Sequence, residues 1–390
     1  MFSNRLPPSI VPNALSRTIA ALQAAGVPYV DLTESNPTRA HLAYPGDLLH
    51  ALSDASALRY EPQPFGMASA RQAVATDQGR RGARIDSSRV VLTSSSSEAY
   101  SWLFKLLCNP GDRVLVPRPS YPLFEHLTRL EAIEADTYDL EYHRGWEIDT
   151  ASVARGLTPR TRAVLVVTPN NPTGSYLKRR ELETLDALCA ERNTALIADE
   201  VFSDYALDAP ADRVTDIASR ARALAFTLGG LSKSVGLPQL KLGWIIAGGE
   251  ASKRHAALAA LELIADSYLS VSTPVQVAAP GLLADGAVIR DGILARVRAN
   301  LATLRAHARS FPACEVLACE GGWYAVIRVP ATRAEEEIVA GLLERERILV
   351  HPGYFFDFPR EAYIVVSLLP EPQVFDDAAA RMLQFTVSGL

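Results

Sequence analysis

The chain has 390 residues, of which 48% are hydrophobic and 21% charged, enough for one large core and long enough for two domains. A net charge of −5 with no basic stripe argues against a dedicated nucleic-acid or anionic-membrane binder and leaves small soluble ligands as the default partners. No apolar run is long enough to span a bilayer, and four cysteines (Cys108, Cys189, Cys314, Cys319) without a CxxC pair or a histidine cluster indicate neither a zinc site nor a disulfide framework, so the expected compartment is cytoplasmic.

The first periodic segment, residues 14–25, carries Leu15, Ile19 and Leu22 at helical spacing and is interrupted by Arg17, unlike the core of a signal peptide. Short β-branched runs follow at residues 89–93, 113–116, 163–168, 195–198, 223–228 and 242–247, most of them separated by helix-length stretches. That alternation predicts an α/β fold: a mostly parallel sheet with helices on both faces. Beyond about residue 280 a long helical stretch (288–309) and short strands near 324–328 and 363–367 suit a smaller α+β domain. The first 45 residues are expected to join it. The expected organisation is therefore a large domain over 46–280 and a small domain built from both termini, 1–45 and 281–390, with no Gly/Ser-rich linker between them.

Polar residues follow the strand-like runs at regular places: Ser94 to Ser97 after the first, Tyr121 after the second, Asn171 after the third, Asp199 after the fourth and Lys233 after the fifth. In an open parallel sheet ligands bind beyond the carboxyl ends of the strands, so these positions are expected to share one crevice. A serine cluster, an aromatic, an amide, a carboxylate and an amine together suit a phosphorylated aromatic cofactor. The amine of Lys233 can form an imine with an aldehyde, and Asp199 can pair with a ring nitrogen and keep it protonated. Asn171 can donate to a phenolic oxygen, and Tyr121 can stack on a ring. Ser95, Ser96 and Ser97 at a predicted helix start suit a phosphate, with Lys241 adding positive charge.

Alone, several of these have plainer readings. A lysine is usually on the surface, Asn171 before Pro172 could merely begin a turn, the serines could only cap a helix, and Tyr121 beside Pro122 could only pack. Arg39 reads as a solvated loop residue, and His351 in Val350-His-Pro-Gly353 as a loop histidine.

Taken together, the motifs resemble a known family. Tyr60 to Gly66 with Arg71, Thr93-Ser-Ser-Ser-Ser-Glu-Ala99, Pro119-Ser-Tyr-Pro122, Asn170-Asn-Pro-Thr-Gly174, Ala198-Asp-Glu-Val201, and Leu231-Ser-Lys-Ser234 followed by Lys241-Leu-Gly-Trp244 are similar to the fold-type I enzymes that use pyridoxal 5'-phosphate. The similarity is strongest to the class I/II aminotransferases related to aspartate aminotransferase. It implies a covalent and proton-transfer role for Lys233, a ring-nitrogen contact for Asp199, a phenolic-oxygen contact for Asn171 and stacking for Tyr121. It also implies phosphate contacts for Ser95 and Ser96, with Ser97, Ser232 and Lys241 beside them. Tyr60 matches a tyrosine that reaches the phosphate of a neighbouring subunit, which implies a homodimer. The implied reaction is ping-pong transamination between a small amino acid or amine and a 2-oxo acid.

The sequence also departs from the family. The strand that carries a carboxylate-clamping arginine in relatives reads Tyr363-Ile-Val-Val-Ser-Leu368, with Val365 at the clamp position. Asn36 and Arg39, in Glu34-Ser-Asn-Pro-Thr-Arg39, are the candidate replacements. Phe202 stands where a tyrosine would donate to the phenolic oxygen, Lys241 where an arginine is usual, Gly230 where a serine is usual, and Ser95 where a glycine is usual. Two other uses of the fold compete with this one. A β-eliminating or carbon–sulfur lyase would share the cofactor and suit an atypical substrate. The sensor domain of a transcription regulator would need a winged helix, for which 45 leading residues leave no room.

Overall fold

Side chains alternate across a strand, so a sheet buried on both faces needs apolar residues at successive positions. The computed structural model, which describes residues 2–7 and 11–388, shows that arrangement in the middle of the chain. A two-residue strand, β1 (Val30–Asp31), precedes the main sheet, whose strands are β2 (Val90–Thr93), β3 (Arg113–Arg118), β4 (Glu134–Tyr142), β5 (Trp146–Ile148), β6 (Thr161–Val167), β7 (Ala195–Asp199), β8 (Ala225–Gly230) and β9 (Gly243–Gly248). Their spatial order is β2-β9-β8-β7-β6-β3-β4-β5. The neighbours from β8 through β7, β6 and β3 to β4 pair in parallel. β9 runs antiparallel to both β8 and β2, so β2 regains the common direction.

The alternation divides the core in two. Val91, Val114, Leu165, Ile197, Phe226 and Ile245 point to one face, where helices Ser96–Leu107 and Ala251–Tyr268 cover them with Leu103, Phe104 and Leu261. Val90, Leu115, Val164, Leu196, Ala225 and Ile246 point to the other, beneath helices Ala68–Gly79 and Arg179–Arg192, which supply Val74, Leu182 and Leu185. Each fully buried aliphatic side chain of this kind contributes about 1.5–3 kcal/mol. The expected mostly parallel sheet with helices on both faces is therefore present.

The C-terminal part is an antiparallel sheet in the order β10-β11-β14-β13, from β10 (Glu315–Val316), β11 (Tyr324–Arg328), β13 (His351–Pro352) and β14 (Tyr363–Ser367). β12 (Ile348–Leu349) pairs in parallel with β1, Val30 facing Ile348, so residue 30 joins elements more than 300 positions away. Helix Ala287–Ala308 matches the long helical stretch read from the sequence. Position 280, the expected domain boundary, falls at Pro280 inside helix Thr273–Asp285.

The sequence reading missed β4 and β5. The run Glu134-Ala-Asp-Thr-Tyr-Asp-Leu-Glu-Tyr142 carries four acidic residues and little β-branching, and its pairing is favoured by its neighbour. Arg113 on β3 reaches Glu134 and Asp136, and Arg118 reaches Asp139 at 2.6 Å. Such cross-strand charge pairs let a polar strand join a sheet near its edge. Among the described residues no helix is long and apolar enough to cross a membrane.

Candidate active site

Because β2, β3, β6, β7 and β8 share one direction, their carboxyl ends lie along one edge of the sheet. The predicted residues leave the strands there: Ser94–Ser97 after β2, Tyr121 after β3, Asn171 after β6, Asp199 at the last position of β7, and Lys233 three residues after β8.

Asp199 is buried and held at both oxygens. The Tyr100 hydroxyl donates to Oδ2 at 3.0 Å and the Val201 N–H donates to Oδ1 at 3.0 Å. Burial pushes its carboxyl up to about 6, against the pull of those two donors and of the Lys233 amine. The upward shift persists because the nearby amine does not compensate the buried charge. A protonated aromatic nitrogen would.

Lys233 lies in the short helical turn Leu231–Ser234. Its backbone is pinned where the Tyr205 hydroxyl donates to the Lys233 carbonyl and the Ser234 hydroxyl donates to Gly230 at 3.0 Å. The residue is half-buried, and the amine end is the enclosed part: Nζ lies 4.8 Å from the Trp323 ring centre and 5.6 Å from that of Phe202, and donates to the Ser35 carbonyl at 3.4 Å. Burial lowers its pKa to about 8, while the carboxylates of Glu34 and Asp199 hold it up. The result is an amine much closer to its neutral, nucleophilic form at neutral pH than a surface lysine.

The serine run is a helix start. Ser95 caps helix Ser96–Leu107, its Oγ accepting from the Glu98 N–H at 3.2 Å, while Glu98 Oε2 accepts from the Ser94 N–H at 2.6 Å. Such a cap stabilises the helix by about 1 kcal/mol. A Cβ on Gly243 of β9 would stand 2.9 Å from the Ser95 carbonyl carbon and 3.1 Å from the Ser96 nitrogen, so glycine lets the sheet approach the loop closely. Lys241, exposed in the left-handed turn before β9, brings a positive charge to the same side.

Asn171 is buried, and its Oδ1 has no hydrogen-bond partner. A buried amide left unsatisfied in this way is costly unless a ligand completes it. Tyr121 is 44% exposed and Tyr60 71% exposed, and no hydrogen bond ties either to the other candidates. Ser232 is half-buried beside Lys233.

The departures have structural reasons. A Cβ on Gly230 would come within 3.1 Å of the Leu242 carbonyl and 3.3 Å of the Gly243 Cα, because β8 and β9 approach closely, so the usual serine would be crowded. Phe202 is buried edge-on against Trp323 at 5.3 Å, which places a ring without a hydroxyl beside the lysine. Val365 is fully buried in β14, between Val326 and His351. Asn36 is committed to its own turn, where Oδ1 accepts from the Thr38 N–H at 3.0 Å and from its hydroxyl at 2.8 Å. Arg39 is 76% exposed on the side chain, with Nη1 4.0 Å from Glu34 Oε2, an exposed pair worth at most about 1 kcal/mol.

Three residues at the site escaped the sequence reading. Tyr100 sits on the face of its helix toward Asp199, although in sequence it reads as a core aromatic. Trp323 and Glu34 reach Lys233 only through the C-terminal and N-terminal segments folded onto the sheet. Among the described residues no cluster of His, Cys, Asp or Glu is arranged to hold a metal ion.

Comparisons with known proteins agree with this geometry. A family model described as "Aminotransferase class I and II" matches residues 28–376. The chain is 28% identical over 381 residues to an alanine aminotransferase of Mycobacterium tuberculosis, covering 95% of this chain and 88% of the relative. It is 26% identical over 335 residues to a tyrosine aminotransferase of Bos taurus, covering 82% and 73%. Among solved structures it superposes on an alanine aminotransferase from Pyrococcus furiosus with a TM-score of 0.87 at 22% identity, covering 99% of each chain. An aspartate aminotransferase of Thermus thermophilus gives 0.85 at 22% identity, also over 99% of each.

Proposed function

The chain belongs to the class I and II aminotransferases, and on that premise we propose that it moves an amino group from a small amino acid or amine to a 2-oxo acid, with pyridoxal 5'-phosphate held on Lys233. One observation carries this reading: a buried carboxylate (Asp199) and a buried amide whose side chain makes no hydrogen bond, leaving its NH2 free to donate (Asn171), share a sheet edge with the enclosed amine of Lys233. Those are the donors and acceptors a pyridine ring with an aldehyde and a phenolic oxygen requires, so the residues fit the cofactor.

Lys233 would hold it through Nζ, Asp199 would face the ring nitrogen, Asn171 the phenolic oxygen and Tyr121 the ring. Ser95, Ser96, Ser97, Ser232 and Lys241 would surround the phosphate. When bound, pyridoxal phosphate supplies a ring that spreads the negative charge left when a proton departs from the carbon bearing the substrate amine. Asp199 Oδ1 and Oδ2, fixed by Val201 and Tyr100, keep a negative charge oriented where that ring needs a proton. Lys233 Nζ would take the proton from the substrate carbon and pass it to the carbon that carried the cofactor's aldehyde, a transfer its lowered pKa favours. Trp323 and Phe202 exclude water around that amine.

Arg39 would meet the carboxylate of the oxo-acid acceptor at the mouth of the site, with Asn36 shaping the turn that carries it. The exposure of Tyr60 supports a role across a subunit boundary, in a homodimer. All four cysteines are free, which supports a reducing, cytoplasmic location. The span of the eight-stranded sheet, within residues 90–248, supports 46–280 as the large domain, with 1–45 and 281–390 as the small one.

The test is amino transfer between an amino acid and a 2-oxo acid by the purified, cofactor-loaded chain, with Asp199→Asn slower by roughly 10²–10³-fold. Ammonia released without any need for an acceptor would turn the reading toward a lyase.

A further inference from the structure

We propose that Glu34 selects the amino donor, and that the donor it selects is an aliphatic amine carrying a second cationic group, of which a short diamine is the simplest. This rests on the aminotransferase reading and names the substrate class of the same site.

The clamp position offers no cation. Val365 is fully buried, and its neighbour His351 lies parallel to Phe355 at 4.7 Å and edge-on to Phe356 at 5.4 Å. Burial there lowers the imidazole to about 4, so it is neutral at neutral pH. A substrate carboxylate placed against this strand would be desolvated without a partner.

The site offers an anion instead. The Ser367 hydroxyl donates to the Glu34 carbonyl at 2.6 Å, and the Ser367 N–H donates to the Leu32 carbonyl at 2.6 Å, so β14 fixes the segment beside Lys233. Glu34 Oε1 accepts from the Asn36 N–H at 2.8 Å, which fixes the carboxylate in turn. The Ser35 carbonyl accepts from Lys233 Nζ at 3.4 Å, so Glu34, the adjoining residue, lies beside the reacting amine. The Glu34 side chain is 23% exposed and that of Arg39 76% exposed. A charge interacts more strongly where water is excluded, so Glu34 dominates inside the site and Arg39 only at its mouth.

The aromatic lining points the same way. Trp323 and Phe202 already face the Lys233 amine. Ring faces attract cations. The two charges thus divide the work: Glu34 meets the distal cation of the donor, and Arg39 the carboxylate of the acceptor.

The test compares putrescine, butylamine and L-alanine as donors to the holoenzyme by loss of the cofactor's visible band. In parallel, calorimetry measures binding of putrescine and butylamine to borohydride-reduced holoenzyme, which cannot react. The expected result is a preference for putrescine over butylamine of about tenfold or more in both assays, collapsing in Glu34→Gln and partly kept in Glu34→Asp. Should Glu34→Gln fail to fold, Glu34→Asp and the wild-type ratio still decide. Equal use of the two amines with better use of L-alanine, or a ratio that survives Glu34→Gln, would overturn the proposal and leave aminotransferase activity standing. A holoenzyme that converts no donor would sink the parent reading, and the calorimetric ratio would then decide Glu34 alone.

Discussion

The Tyr100 hydroxyl donates to Asp199 Oδ2 at 3.0 Å, joining the first helix after β2 to the end of β7. Both groups are buried, and the bond draws the carboxyl down against the burial that raises it to about 6. Tyr100→Phe keeps the ring packing against Phe104 and Phe124 and removes only this donor. A hydrogen bond to a charged group is worth about 1.5–3 kcal/mol, so cofactor affinity should fall roughly tenfold to a hundredfold with little change in fold. Equilibrium dialysis of the cofactor measures this. An unchanged dissociation constant would mean that Asp199 is held adequately by Val201 alone.

Lys233 gives the site a pH signature. Its amine titrates near 8 in the folded chain, below the usual 10.5. Between those values the unfolded chain binds more protons than the folded one, so the stability of the cofactor-free protein should rise with pH across about 8 to 10.5. Capture of the cofactor needs the neutral amine, so its rate should climb with pH and level off above about 8. Stopped-flow absorbance over that range reads the midpoint, and a climb continuing to the ordinary lysine value would show the amine to be solvated.

At Gly243 the constraint is steric. A methyl group there meets backbone atoms of Ser95 and Ser96, which cannot yield as a flexible side chain would. Gly243→Ala should cost roughly 1–3 kcal/mol of stability and displace the helix start. The affinity for pyridoxal phosphate should fall more than that for pyridoxal, which lacks the phosphate. Equal losses for the two would remove the loop from the phosphate site.

Phe202 puts a ring without a hydroxyl beside Lys233. Phe202→Tyr would restore a donor to the phenolic oxygen and so favour its ionised form, lowering the pH midpoint of the bound cofactor's absorbance band relative to wild type. A pH titration of the two proteins side by side checks the direction. An unchanged midpoint would place the new hydroxyl out of reach.

Much of this was legible in the chain. Asp199 and Lys233 stand out because each follows a run of apolar residues that packs as a buried strand, and the strand ends then place them together. Glu34 was not legible as a site residue, because its position depends on Ser367, 333 residues away, and no local pattern announces that bond. β4 was hidden by its own acids, whose partners lie on β3. Asn36 was read as a possible ligand-binding residue, while its oxygen caps the turn that follows it, a use that Asn-Pro-Thr suggests once the local geometry is known.

The most direct measurement is the absorbance spectrum of the cofactor-loaded chain before and after an amino donor, with Lys233→Ala beside it. The account predicts a visible band that disappears with the donor and returns with a 2-oxo acid, and a Lys233→Ala protein slower by at least roughly 10²–10⁴-fold. A Lys233→Ala protein that cycles as fast as wild type, or a wild-type band that no donor changes, would contradict it.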